Sequence, residues 1–153
     1  MPVTSTLKKI APAALSTVFV LGVAAPSASA ADGVDAGSTA VNFYVKRNTG
    51  DTSSFRGTLT WDGKGGYHVT GEINAITYPV NRITSWLEYS GEHESWKNSP
   101  NEADSGNSKY GYAKIDIAGT LPKGERLDLR LNTWQSQIFW AWQPSDKKTY
   151  TIS

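Results

Sequence analysis

The sequence predicts an all-β protein: a single antiparallel β-sandwich, or a small barrel, of about eight strands. Three observations carry that expectation. Apolar and polar residues alternate with period two along most of the chain past residue 40, as half-buried strands require. Turn signals rich in Gly, Asn, Asp and Pro recur roughly every eight to twelve residues. No stretch shows the 3.6-residue period of an amphipathic helix.

Residues 1–30 precede these strands and carry the marks of a secretory signal peptide. Lys8 and Lys9 lead into an apolar stretch from Ile10 to Ala25, and Ala28, Ser29 and Ala30 form a small-residue cleavage pattern. The apolar run is broken by Pro12, Ser16 and Thr17 and is short for a membrane span, so no membrane insertion is expected after cleavage. The alanine-rich cleavage region fits bacterial export, without a twin-arginine pair or a lipid-anchored cysteine. The expected organisation is a signal peptide over 1–30, a flexible N-terminal segment over 31–39 and one β-sandwich domain over 40–153, secreted to the extracellular space.

Taken in order, Val41, Phe43 and Val45 alternate with Asn42 and Lys46 in a first strand, and a polar turn follows around Gly50 and Asp51. Phe55, Leu59 and Trp61 alternate with Arg56, Thr58 and Thr60 up to Asp62-Gly63-Lys64-Gly65-Gly66, the strongest hairpin signal in the chain. Tyr67, Val69 and Ile73 return on one face, with His68, Thr70, Glu72 and Asn74 on the other. Pro79 makes 76–80 a bend or an edge. Ile83, Leu87 and Tyr89 then share a face, while Trp86 and Glu88 point the other way. The segment 91–108 is polar and holds Pro100 and Gly106; it reads as a long loop. Ala113, Ile115 and Ile117 form one clean strand and Leu127, Leu129 and Leu131 another, joined through a turn at 119–124. A short apolar strand over 138–143 and a last one over 149–152 complete the set.

Composition narrows the function. The 153 residues carry 15 Lys+Arg and 14 Asp+Glu, and loss of the leader leaves 13 basic against 14 acidic residues in 123. A nearly neutral chain does not suit a nucleic-acid binder. There is no cysteine, which removes disulfides, thiolate nucleophiles and cysteine-ligated metal centres. No nucleophile elbow, phosphate loop or zinc-protease motif is present. No cofactor and no metal site is expected: Glu92-His93-Glu94 and the oxygens of Glu102, Asp104 and Asn107 are ligand types that lack the required spacing.

Six tryptophans are more than one small core obviously needs. Trp61 is in phase with Phe55 and Leu59 and reads as core. Trp86 shares its phase with Glu88, Trp134 with Asp128, Arg130 and Asn132, and Trp140 and Trp142 lie together on one face of their strand. Flat rings beside carboxylates and amides suit sugars, whose apolar faces stack on indoles while their hydroxyls take hydrogen bonds; the competing reading is a second packed layer. The sequence therefore predicts a non-catalytic binding module for extracellular carbohydrate or cell-wall polysaccharide, using Trp86, Trp134, Trp140 and Trp142 with Tyr44 and Glu88 in support. The alternative is a secreted inhibitor or toxin that grips another protein through the 92–108 loop, with His93 and Trp96 as contacts. A small glycosidase would need two facing carboxylates, drawn from Glu72, Glu88, Asp116 and Asp128.

Overall fold

The computed structural model describes residues 35–47, 50–78, 82–122, 124–135 and 143–152. These form nine strands: β1 (Gly37–Lys46), β2 (Thr52–Trp61), β3 (Gly66–Ile76), β4 (Ile83–Gly91), β5 (Lys97–Asp104), β6 (Tyr110–Thr120), β7 (Arg126–Gln135), β8 (Gln143–Pro144) and β9 (Lys148–Thr151). No helix occurs among the described residues. The strands make two antiparallel sheets that do not close into a barrel. Sheet A has the order β1-β2-β3-β6; in sheet B the order is β5-β4-β7, with β8 and β9 paired to the far edge of β7. Of the two architectures compatible with the alternation, the chain adopts the sandwich-like one.

Period two builds the core directly. Val41, Phe43, Val45, Phe55, Leu59, Val69, Ile73 and Ile115 of sheet A meet Ile83, Leu87, Leu127, Leu129 and Leu131 of sheet B, and all are buried. Removal of this apolar surface from water is the main driving force for the stacking of the sheets. Two glycines shape the interior. Gly57 and Gly71 are opposite each other in register, and a Cβ on either would come within 2.5 Å or 2.8 Å of the Phe55 ring. The aromatic ring therefore fills the space that two missing side chains leave in the middle of sheet A.

The β2–β3 turn is the hairpin that the glycines predict. Gly63 and Gly65 have φ of 71° and 99°, and Asp62 Oδ1 accepts hydrogen bonds from the Lys64 and Gly66 amides at 2.8 and 2.9 Å. At one open side of the sandwich, Lys148 on β9 donates to the Asn42 carbonyl at 2.8 Å and lies 5.3 Å from the Phe43 ring centre, which ties sheet B to β1.

Two expectations need correction. The segment 91–108 is not a long loop: Lys97–Asp104 is strand β5, paired with β4 through Thr84↔Asp104, Ser85↔Ala103 and Trp86↔Glu102. The alternation is hidden because little of this edge strand is buried beyond Ser99 and Ala103, and an edge tolerates Pro100. A bulge interrupts the register between Trp86 and Glu88; there the Ser99 hydroxyl accepts the Leu87 amide hydrogen at 3.1 Å and donates to the Asn101 carbonyl at 2.7 Å. The second correction is at the N-terminal side, where pairing begins at Gly37, inside the segment expected to be flexible. The leader, Pro79, and the apolar stretch holding Trp140 and Trp142 lie outside the described residues.

Candidate functional site

Strands β4 and β7 lie side by side in sheet B, and once their inward phase is spent on Ile83, Leu87, Leu127, Leu129 and Leu131, the outward phase stacks three cross-strand pairs. These are Thr84↔Trp134, Trp86↔Asn132 and Glu88↔Arg130. β5 continues all three rows, placing Asp104 opposite Thr84, Glu102 opposite Trp86 and Asn98 opposite Glu88. Directly opposed side chains stand close enough to touch, so the register alone assembles indole, amide, carboxylate and guanidinium on one face.

The carboxylate organises this face from beneath. Arg130 Nε donates to Glu88 Oε2 at 2.6 Å, and Trp86 Nε1 donates to Glu88 Oε1 at 3.2 Å. Arg130 also places its guanidinium carbon 4.1 Å from the centre of the Trp96 ring, a cation–π contact that holds the segment before β5 over the sheet. Glu88 is only 6% exposed. It is therefore not a displayed ligand-binding carboxylate, as its outward parity suggested, but the buried anchor of Trp86 and Arg130. A buried charge of this kind persists because it is paired and hydrogen-bonded.

Asn132, opposite Trp86 in register, has a different standing. It is 0% exposed, and among the described residues neither its Oδ1 nor its Nδ2 has a hydrogen-bond partner. Two donors and an acceptor are thus held away from water with nothing among the described residues to satisfy them, a costly arrangement. Its neighbours in the same phase are Arg130, two residues back, and Trp134, two residues on. Trp134 is 41% exposed, whereas Trp86 and Trp96 are half-buried.

The residues singled out from sequence divide accordingly. Trp86, Glu88, Trp134 and also Trp96 come together on the outer face of sheet B. Tyr44 does not: Phe43 and Val45 point inward, so Tyr44 projects from the outer face of sheet A. His93 is exposed between β4 and β5. Glu72 and Glu88 stand on opposite outer faces and cannot flank one glycosidic bond. Glu72 accepts the Tyr112 hydroxyl at 2.6 Å, Asp116 pairs with His68 at 2.7 Å, and Asp128 is held by Lys147 at 2.7 Å and Thr149 at 2.5 Å. Among the described residues no three His, Cys, Asp or Glu side chains converge to hold a metal ion. Sequence reasoning missed Arg130 and Asn132 as members of the site, although their shared parity with Trp134 was visible.

No protein-family model, no curated protein and no solved structure matches this chain; its function must be read from its own geometry.

Proposed function

We propose that this protein is a non-catalytic carbohydrate-binding module that works outside the cell, on a polysaccharide or cell-wall surface, through the outer face of sheet B. The observation that carries this reading is Asn132, a fully buried amide without a partner among the described residues, directly across from Trp86 and two residues from exposed Trp134. A pyranose ring presents what such a place lacks: an apolar face to stack on indole, and hydroxyls that both donate to and accept from an amide. Contact with Asn132 requires a neighbouring side chain to move, and Trp134 has the room, since rotamer changes of exposed side chains are fast. Glu88 and Arg130 hold Trp86 and Trp96 in place, so little ordering is left for the ligand to impose. The secretory leader read from residues 1–30 supports the extracellular setting.

The test is retention of the purified protein on insoluble chitin, cellulose, xylan and peptidoglycan, combined with iodide quenching of tryptophan fluorescence. Binding to one polymer, protection of the quenchable indole by soluble fragments of it, and loss of retention in Trp134→Ala with the fold intact are expected. Failure to bind all four polymers would overturn the reading. The alternative, a protein-binding loop over 92–108, keeps as loop only the short stretches on either side of β5, at 92–96 and 105–108, with Trp96 already engaged by Arg130.

A further inference from the structure

The outer face of sheet A carries a second constellation, independent of the tryptophans. Continuous register across its four strands places Tyr44, Ser54, Asn74 and Tyr112 in one row perpendicular to the strands. Tyr44 on the β1 edge is 63% exposed and Tyr112 on the β6 edge is 51% exposed. Between them stand only a serine and an asparagine, so bulky rings bound a trough with a small, polar floor. Two concavities, of about 580 and 490 Å³, run along it and share Ser54 and Arg56 in their walls. With strands about 4.8 Å apart, three interstrand steps make the row roughly 14 Å long. That is room for several linked sugar rings.

The adjoining rows supply charge. On one side lie Asn42, Arg56, Glu72 and Lys114; on the other, Lys46, Thr52, Ile76 and Tyr110. Lys109 lies 5.1 Å from the Tyr78 ring centre and 5.6 Å from that of Tyr110. Among the described residues, no ion pair engages Lys46, Arg56, Lys109 or Lys114. The one carboxylate in these rows, Glu72, already accepts the Tyr112 hydroxyl at 2.6 Å. Four cations without an ion pair among the described residues, three of them also free of a ring contact, around one occupied acid stand out in a chain whose formal net charge is +1.

We propose that this trough binds an extended, carboxylate-bearing polysaccharide chain laid across the strands from Tyr44 to Tyr112. Sugar rings stack at the two tyrosines, Ser54 and Asn74 meet the hydroxyls, and Arg56 takes a carboxylate, with Lys46 and Lys114 adding longer-range attraction. A uronic-acid chain fits better than a nucleic acid. Four cations with an acid among them are a weak match to a phosphate on every residue, whereas amide and hydroxyl groups between the rings match a hydroxyl-rich chain.

The deciding experiment is affinity electrophoresis of the purified protein in gels containing polygalacturonate, alginate or hyaluronan. Fully methyl-esterified galacturonan, which has the same backbone without its charge, and single-stranded DNA serve as comparisons. At least one uronate polymer is expected to retard the protein, its esterified counterpart much less, and added salt to weaken the effect. Tyr44→Ala and Arg56→Gln are each expected to weaken binding about tenfold, with Tyr44→Phe close to wild type. Trp134→Ala is expected to leave it unchanged, which separates this face from sheet B. No retardation by any uronate polymer, equal retardation by the esterified chain, stronger retention by DNA, or loss in Trp134→Ala with retention in Tyr44→Ala and Arg56→Gln would each overturn the proposal.

Discussion

Gln135 Nε2 donates a hydrogen bond to Asp51 Oδ2 at 2.6 Å, joining the end of β7 to the residue before β2 inside the sandwich. Both residues are fully buried. Asp51 also accepts the Tyr78 amide at 2.6 Å and the Thr77 hydroxyl at 3.3 Å. Nearby, Ser53 and Ser85 hydroxyls meet at 2.6 Å, and Ser85 donates to Thr133 at 3.3 Å. The core is thus apolar through most of its length and polar at one end. One carboxylate ties together the chain before β2, after β3 and at the end of β7.

Asp51→Ala should therefore cost about 3 kcal/mol, because several buried donors lose a charged acceptor at once. Asp51→Asn keeps one acceptor oxygen and is expected to cost less. Urea unfolding of the three proteins measures both. A loss of under about 1 kcal/mol in the alanine variant would mean that water replaces the carboxylate.

Asn132→Leu provides the opposite signature. Removal of an unsatisfied buried amide in favour of an apolar side chain of similar size should stabilise the fold by about 1–2 kcal/mol. The same change removes the polar partner proposed for a sugar, so retention on the polysaccharide should fall while the unfolding midpoint rises. This is the trade-off expected of a position kept for function. Lower stability in Asn132→Leu would assign the amide to the architecture instead.

How much of this was legible in the sequence differs from residue to residue. Phe43, Val69 and Leu129 announce their burial through strict alternation, and Gly63 and Gly65 announce their turn, because a strand's period and a glycine's positive φ are local properties. β5 was illegible: at a sheet edge one hydrogen-bonded side suffices, and a sequence such as Ser99-Pro100-Asn101-Glu102 needs no apolar face. Asp51 is read from sequence as part of a polar turn, since nothing nearby in sequence reveals Gln135 or Tyr78. Parity separated Trp86 and Trp134 from the core correctly, but parity gives the face within a strand and not the sheet. It grouped Tyr44 with them and took Glu88 for a displayed carboxylate, when the register with Arg130 buries it.

That register makes Glu88 and Arg130 a coupled pair. Arg130→Met leaves a carboxylate buried with the Trp86 indole as its one remaining donor among the described residues and should destabilise by about 3 kcal/mol, whereas Glu88→Gln/Arg130→Met should cost much less than the sum of the single changes. Denaturant unfolding of the four proteins closes the cycle. Loss of the guanidinium from Trp96 should also alter tryptophan emission. Additive single changes would show that the pair is hydrated and weakly coupled.

Tyr67 supplies an alkaline signature. It lies buried on β3 opposite Gly119, where a Cβ would come within 2.5 Å of the Tyr67 hydroxyl oxygen, so only glycine leaves room for the ring. Burial, with Tyr89 and Glu94 nearby, pushes the phenol from 10.0 up to about 12. A raised folded pKa means that the unfolded chain gives up the proton first. The contribution to stability is therefore complete below pH 10 and is lost as pH climbs through 10 towards 12. Spectrophotometric titration should show a late tyrosinate component in the wild type that is smaller by one group in Tyr67→Phe, the remainder coming from Tyr112, raised by its hydrogen bond to Glu72, and Tyr150, raised by burial, and the variant's stability should fall less steeply over the same interval. If the two titrations superpose, the phenol is in contact with water and the burial assigned to it is wrong.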